Sequence, residues 1–178
     1  MLFQITNRSF TRRNKMDKTQ LLKTLAAFEE KFDLTPNDYY LTHGGSLVLL
    51  GFKSTTNDAD ITIPDTATFN RVAKKGGFGA QLPSGTWLVN VMDNVDIHNQ
   101  VAGEPVELTQ TGGIMHTTVK QTLVDKLALN REKDQQWIAL LAAHMDMEAA
   151  RNSMGCVIDA PELFALSRIK LRKMGINI

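Results

Sequence analysis

The residues best suited to chemistry lie between positions 43 and 63, in the run His43-Gly44-Gly45-Ser46 through Asn57-Asp58-Ala59-Asp60-Ile61-Thr62-Ile63. Asp58 and Asp60 stand two apart in an alternating stretch, so on a strand both carboxylates leave from one face. Two parallel carboxylates repel unless a cation sits between them, and Mg²⁺ (or Mn²⁺) prefers such oxygen ligands completed by phosphate. The glycine pair leaves backbone N–H groups open to an anion, because no side chain blocks the approach. A short helix expected from Ser46 to Leu50 turns its positive end to the same spot. Taken singly, Gly-Gly is an ordinary turn and Asp-x-Asp an ordinary solvated strand face. Their succession, a strand, Gly-Gly-Ser, a short helix, a turn, then Asp-x-Asp on a strand, is what points to a phosphate and metal site.

That succession, with Gly-Gly-Ser about a dozen residues before Asp-x-Asp, resembles the signature of the polymerase-β-like nucleotidyltransferase superfamily over residues 39 to 63. The resemblance implies that Gly44, Gly45 and Ser46 hold phosphates and that Asp58 and Asp60 are catalytic metal ligands. It also implies a third carboxylate on a later strand beside the pair. Val95-Asp96-Ile97 is the match, since a buried strand excludes Asp unless it is paired or metal-bound. Asp93, in the turn Asp93-Asn94, is the competing position. Superfamily members often carry Arg four residues before the first Asp. Ser54 stands there in this chain, with Lys53 beside it, so Lys53 is taken as a phosphate ligand. His43 replaces the usual apolar residue before the glycines and reads as structural.

Val119 to Asn130 and the helix after it are similar to the tail of small toxin-type (AbiEii-like) nucleotidyltransferases, on Lys126, Ala128, Arg131, Lys133 and Asp134. This implies that Lys126 binds the triphosphate or the leaving pyrophosphate. Read from residues alone, Lys126, Arg131 and Lys133 are exposed positions of amphipathic helices. Leu123, Leu127 and Asn130 form the stripe expected to pack, with Lys126 beside it.

Positioning these residues requires a particular run of elements. Asp17 caps a helix over Leu21, Leu22, Leu25 and Phe28. Strands follow at 39–42 and 58–63, with a helix over 66–75. Further strands are expected at 87–92 and 95–97, joined at Asp93-Asn94, and at 106–108 and 114–116 around Gly112-Gly113. Helices over 119–130, 133–152 and 161–174 complete the chain. The fold class is α+β, a nucleotidyltransferase-type mixed sheet flanked by helices with a C-terminal helical tail. Residues 1–16 read as a loose leader, 17–117 as the core and 118–178 as the helical region packed on it.

Composition sets the boundaries of function. The chain has 178 residues, 43% apolar and 22% charged, enough for one real core. A net charge of +1 gives no global pull toward nucleic acid or membrane. The single cysteine, Cys156, cannot form an internal disulfide. The longest apolar runs, Leu47 to Phe52 and Trp137 to Ala143, are too short to cross a bilayer. His98, His116 and His144 lack zinc-ligand spacing.

Together these readings describe a cytoplasmic, metal-dependent nucleotidyltransferase. It would move a nucleoside monophosphate from a triphosphate such as ATP to a hydroxyl acceptor and release pyrophosphate. Asp96 would share the second metal and help activate the hydroxyl. The toxin-type resemblance implies an RNA acceptor such as a tRNA end, and an antitoxin or other protein partner. The basic run Arg168, Lys170, Arg172, Lys173 offers contacts to a phosphate backbone. Small-molecule and protein acceptors stay open. The alternative is a non-catalytic nucleotide- or partner-binding module of the same fold in a toxin–antitoxin or phage-defence setting.

Overall fold

The structure is a computed structural model and describes residues 15–76, 80–81, 88–92, 105–129 and 131–154, with the isolated positions 165, 168, 169, 172 and 173. Asp93, the expected strand over 95–97 with Asp96, Lys170 and most of the expected helix over 161–174 lie outside the described residues.

Helix α1 (Lys18–Phe32) begins at a capping box, in which Asp17 and Gln20 each accept the other's backbone N–H at 2.8 and 3.0 Å. Leu21, Leu25, Phe28 and Phe32, spaced at helical period, form its buried stripe. Its C-terminal carbonyls are met from α3 (Thr66–Lys74), whose Arg71 donates to Phe32 O at 2.5 Å and Asp33 O at 3.2 Å. Met16, expected in the leader, is fully buried, and its backbone exchanges hydrogen bonds with Thr56 at 2.7 and 2.8 Å. Met16 therefore belongs to the core.

The α+β character holds, and the sheet is mixed. Its strands are β1 (Tyr40–Thr42), β2 (Asp58–Thr62), β3 (Ala80–Gln81), β4 (Leu88–Met92), β5 (Leu108–Thr111) and β6 (Ile114–Thr117), in the order β3-β4-β2-β1-β6-β5. The β1–β2 pair is antiparallel, while β2–β4 and β1–β6 are parallel. Gly112 and Gly113, with φ of +59° and +86°, close the β5–β6 hairpin in the positive-φ turn that matches strand twist.

The alternation along β2 divides the molecule. Ala59 and Ile61 are fully buried in a core shared with α1, α3 and the Val89 and Val91 of β4. Asp58 and Asp60 leave from the other face, toward the helical region. There a second cluster unites Leu47 and Phe52 with Leu140, Leu141 and Ala143 of α5 (Gln135–Met154). Helix α2 (His43–Leu49) joins the two, giving Val48 and Leu49 to the first core and Leu47 to the second.

Helix α4 (Val119–Leu129) departs from its hydrophobic pattern. Leu127 of the expected packing stripe is 53% exposed, and the buried residues are Gln121, Thr122, Asp125 and Lys126. Burying polar groups costs free energy unless each finds a partner. Gln121 donates to Asp125 at 2.8 Å, Thr122 pairs with Thr117 at 2.8 Å, and Lys126 donates to Asp134 at 2.6 Å. The inner face of α4 thus combines the apolar contacts of Val119 and Leu123 with the second cluster and side-chain hydrogen bonds that residue hydrophobicity does not reveal. Among the described residues, no helix is long and apolar enough to cross a membrane.

Candidate functional site

The turn from β1 into α2 is tighter than Gly-Gly-Ser suggests. The helix starts at His43, three residues before the expected Ser46, so both glycines sit in its first turn. His43 itself adopts φ +49°, a left-handed conformation that costs an L-residue about 1–2 kcal/mol and persists only where the surroundings enforce it. A Cβ on Gly44 would lie 2.7 Å from Thr56 Oγ1, and one on Gly45 would lie 2.7 Å from the Leu41 side chain. Gly45 is therefore required by the contact of α2 with β1. Gly44 is required by the loop that leads into β2.

Ser46 is fully buried and faces the interior. Its hydroxyl donates to Leu41 O at 2.8 Å and accepts from Thr117 Oγ1 at 2.9 Å. With the Thr117 proton spent on Ser46, the 2.8 Å contact between Thr117 and Thr122 is donated by Thr122. This relay of hydroxyls ties β1, α2, β6 and α4 together directly behind the site.

On the sheet, Asp58 and Asp60 meet a residue that was not among the sequence candidates. Asn90 of β4 is the register partner of Asp60. Its Nδ2 donates to Asp60 Oδ1 at 2.8 Å and to Asp58 Oδ2 at 3.3 Å. The sequence does carry a signal for it: Val89-Asn90-Val91 is one polar residue between apolar ones on a strand, the same pattern that singles out Asp96. The strand flanking β2 on this side is β4, and the position on it that faces the pair carries a carboxamide.

Facing this wall is a basic one built by the helical region. Asp134, 4% exposed, stands in the 3₁₀ turn Glu132–Asp134 just before α5. It accepts from Lys126 Nζ at 2.6 Å and from Arg131 Nε at 2.5 Å. Burial pushes the Asp134 carboxyl up, but the hydrogen bonds and charges of Lys126 and Arg131 outweigh it and hold the group below the usual carboxylate range. Lys126 is 3% exposed, the reverse of a solvated helix position. Lys53 lies with its Nζ 5.7 Å from the centroid of the Trp137 ring. Burial, then the Lys126 charge, lowers its pKa from the ordinary lysine value, with Asp58 pulling the other way.

The two walls border one cavity of about 510 Å³, lined by Asp58, Asp60 and Asn90 from the strands and by Lys53, Lys126, Arg131, Lys133, Asp134 and Trp137. His43 and Gly44 also line it, and Gly45 and Ser46 do not. Of the residues singled out in the sequence, Gly44, Lys53, Asp58, Asp60 and Lys126 therefore share one space, although the last is 66 positions from Asp60. Among the described residues no group of three or more His, Cys, Asp or Glu side chains is placed to hold a metal. A cation on this wall would take oxygens from Asp58 and Asp60, and the remainder from Asn90 or from the ligand, a donor set that suits Mg²⁺.

Comparison with protein-family models, with curated proteins and with solved structures gives no match. The chemistry of the site has to be read from its own geometry.

Proposed function

We propose that the protein is a metal-dependent nucleotidyltransferase of polymerase-β-like type. One observation carries the reading: a single cavity places two strand carboxylates opposite Lys53, Lys126, Arg131 and Lys133. A nucleoside triphosphate with its divalent cation has the complementary charge pattern, and the volume lies in the range of small-molecule sites. A divalent cation there would supply charge neutralisation and polarisation of the α-phosphorus. Asp58 and Asp60 would hold it, their carboxylates set in place by Asn90 before it enters. Lys53 and Lys126 receive the β and γ phosphates and stabilise the charge that grows on departing pyrophosphate. An acceptor hydroxyl attacks the α-phosphorus in line, the bond to the β-phosphate oxygen breaks, and the hydroxyl proton is lost to solvent or a base. Asp96 lies outside the described residues and takes no step in this scheme.

The acceptor class proposed is RNA, in a cytoplasmic toxin–antitoxin or phage-defence setting with a protein partner. Incubation with each α-labelled triphosphate, Mg²⁺ and total RNA tests it. The expected result is label on RNA with wild type and none with Asp58→Ala. Label on protein alone would replace the acceptor, and no label from any triphosphate would remove the transferase reading. One observation favours a second reading, a nucleotide-binding module without transfer: the strand position facing the Asp pair carries Asn90, which cannot act as a base. Nucleotide binding without labelled product would establish it.

A further inference from the structure

We infer that Asn90 is a neutral third wall of the cation seat, which shields Asp58 from Asp60 and lowers their affinity for a bare cation. The inference rests on the proposed function for the identity of the cation's carrier, and on the sheet register for the rest. In parallel pairing, register partners point to the same side, so Asn90 projects over the same cavity as Asp60. Its amide spans the pair, 2.8 Å from one carboxylate and 3.3 Å from the other. Two N–H groups directed at two carboxylates do part of what a cation would do, and reduce the repulsion between them.

A divalent ion entering the seat meets those same N–H dipoles with the wrong sign. The carboxamide must then turn about its terminal torsion and present Oδ1, or withdraw. That torsion is broad and nearly two-fold, so the turn itself is easy, but both hydrogen bonds are lost in it. Among the described residues the seat carries the charge of two carboxylates, Asp58 and Asp60. A free ion gains little there, whereas an ion already bearing phosphates brings its own oxygens and meets Lys53 and Lys126 on the opposite wall. Asn90 thereby selects a cation delivered with its nucleotide over a cation alone.

The test is Mn²⁺ binding by electron paramagnetic resonance, without and with a non-hydrolysable triphosphate, on wild type, Asn90→Asp and Asn90→Ala, beside melting curves in EDTA. Asn90→Asp is expected to bind Mn²⁺ without nucleotide about tenfold more tightly than wild type, or better. In EDTA both variants are expected to melt below wild type, and Mn²⁺ to restore Asn90→Asp but not Asn90→Ala. Equal Mn²⁺ affinity of wild type and Asn90→Asp overturns the inference, as does a wild-type melting temperature for both variants in EDTA. A gain of Mn²⁺ affinity in Asn90→Asp with no effect of triphosphate on any of the three proteins upholds the shielding role and removes the nucleotidyl-transfer reading instead. The two failures are thus distinguishable.

Discussion

The strand wall and the helical wall of the cavity are built on different physics. Asp58, Asp60 and Asn90 are placed by backbone register, on strands whose opposite face is packed into the main core through Ala59, Ile61 and Val89. Lys126, Arg131 and Asp134 are placed by one another, through a buried carboxylate shared between two cations. The first arrangement leaves its charged groups replaceable without loss of fold, because the backbone hydrogen bonds hold the geometry. The second makes the charged groups part of the fold, because removing one leaves another buried without its partner.

Substitutions separate the two walls most sharply. Asp60→Ala removes a cation ligand and relieves repulsion, so labelled transfer should fall on the order of a thousandfold while the metal-free melting temperature holds or rises. A large loss of stability in Asp60→Ala would show that the strand wall is structural after all. Lys126→Ala should behave in the opposite way, costing about 3 kcal/mol in urea unfolding, because Asp134 is left with Arg131 alone. The double change Lys126→Met with Asp134→Leu replaces the pair by apolar groups. It is expected to recover most of that stability without recovering nucleotide binding. Recovery of both would take Lys126 out of the ligand site.

Acid should also dismantle the two regions in order. His116 is fully buried in the sheet, its Nδ1–H donating to Thr117 O at 3.0 Å and its Nε2 accepting from Thr111 Oγ1 at 2.9 Å. Burial lowers its pKa, so the folded protein binds fewer protons than the unfolded chain. Stability is then lost as pH falls from the unfolded value of about 6.5 toward the folded one, each tenfold difference in proton affinity between the two states being worth about 1.4 kcal/mol. Asp134 has a depressed carboxyl pKa, so its contribution is present above the unfolded value of about 3.9 and is lost only as pH falls below it. Unfolding free energies between pH 7 and 5 should therefore decline in wild type, flatten in His116→Gln and be unaffected in slope by Asp134→Asn. The smallest effect is expected at Leu127, where Leu127→Gln on the exposed side of α4 should change stability by no more than about 0.5 kcal/mol. A cost several times larger would mean that Leu127 packs, as the stripe read from the sequence expects.

That contrast also marks how far the sequence could be read. The strand wall was legible because period two fixes the side of Asp58 and Asp60 whatever packs behind them. The cap at Asp17 and the stripe of α1 were legible for the same local reasons, while the strand expected at 106–108 lies at Leu108–Thr111 and forms a hairpin with β6 at Gly112-Gly113. Asn90 carries the same polar-in-apolar signature as Asp96, but its place beside the Asp pair depends on which strand flanks β2, and sheet order settles that. The helical wall resisted pattern reading, since of the expected α4 stripe Leu123 packs and Leu127 does not, while the buried positions are polar groups that satisfy one another. The start of α2 and the place of the Ser46 side chain were not legible for another reason. A left-handed residue starts the helix early, and the serine hydroxyl is consumed inside the core.

The most direct test of the central claim is the melting temperature of wild type and Asp60→Ala with Mg²⁺ alone, a non-hydrolysable triphosphate alone, and both together. At about a hundredfold excess over Kd, the two ligands together should raise the wild-type melting temperature by about 5–10 °C, with neither alone approaching that and Asp60→Ala showing no rise. No rise in wild type, or an equal rise without Mg²⁺ and in Asp60→Ala, would contradict the claim that the cavity holds a metal–triphosphate between its two walls.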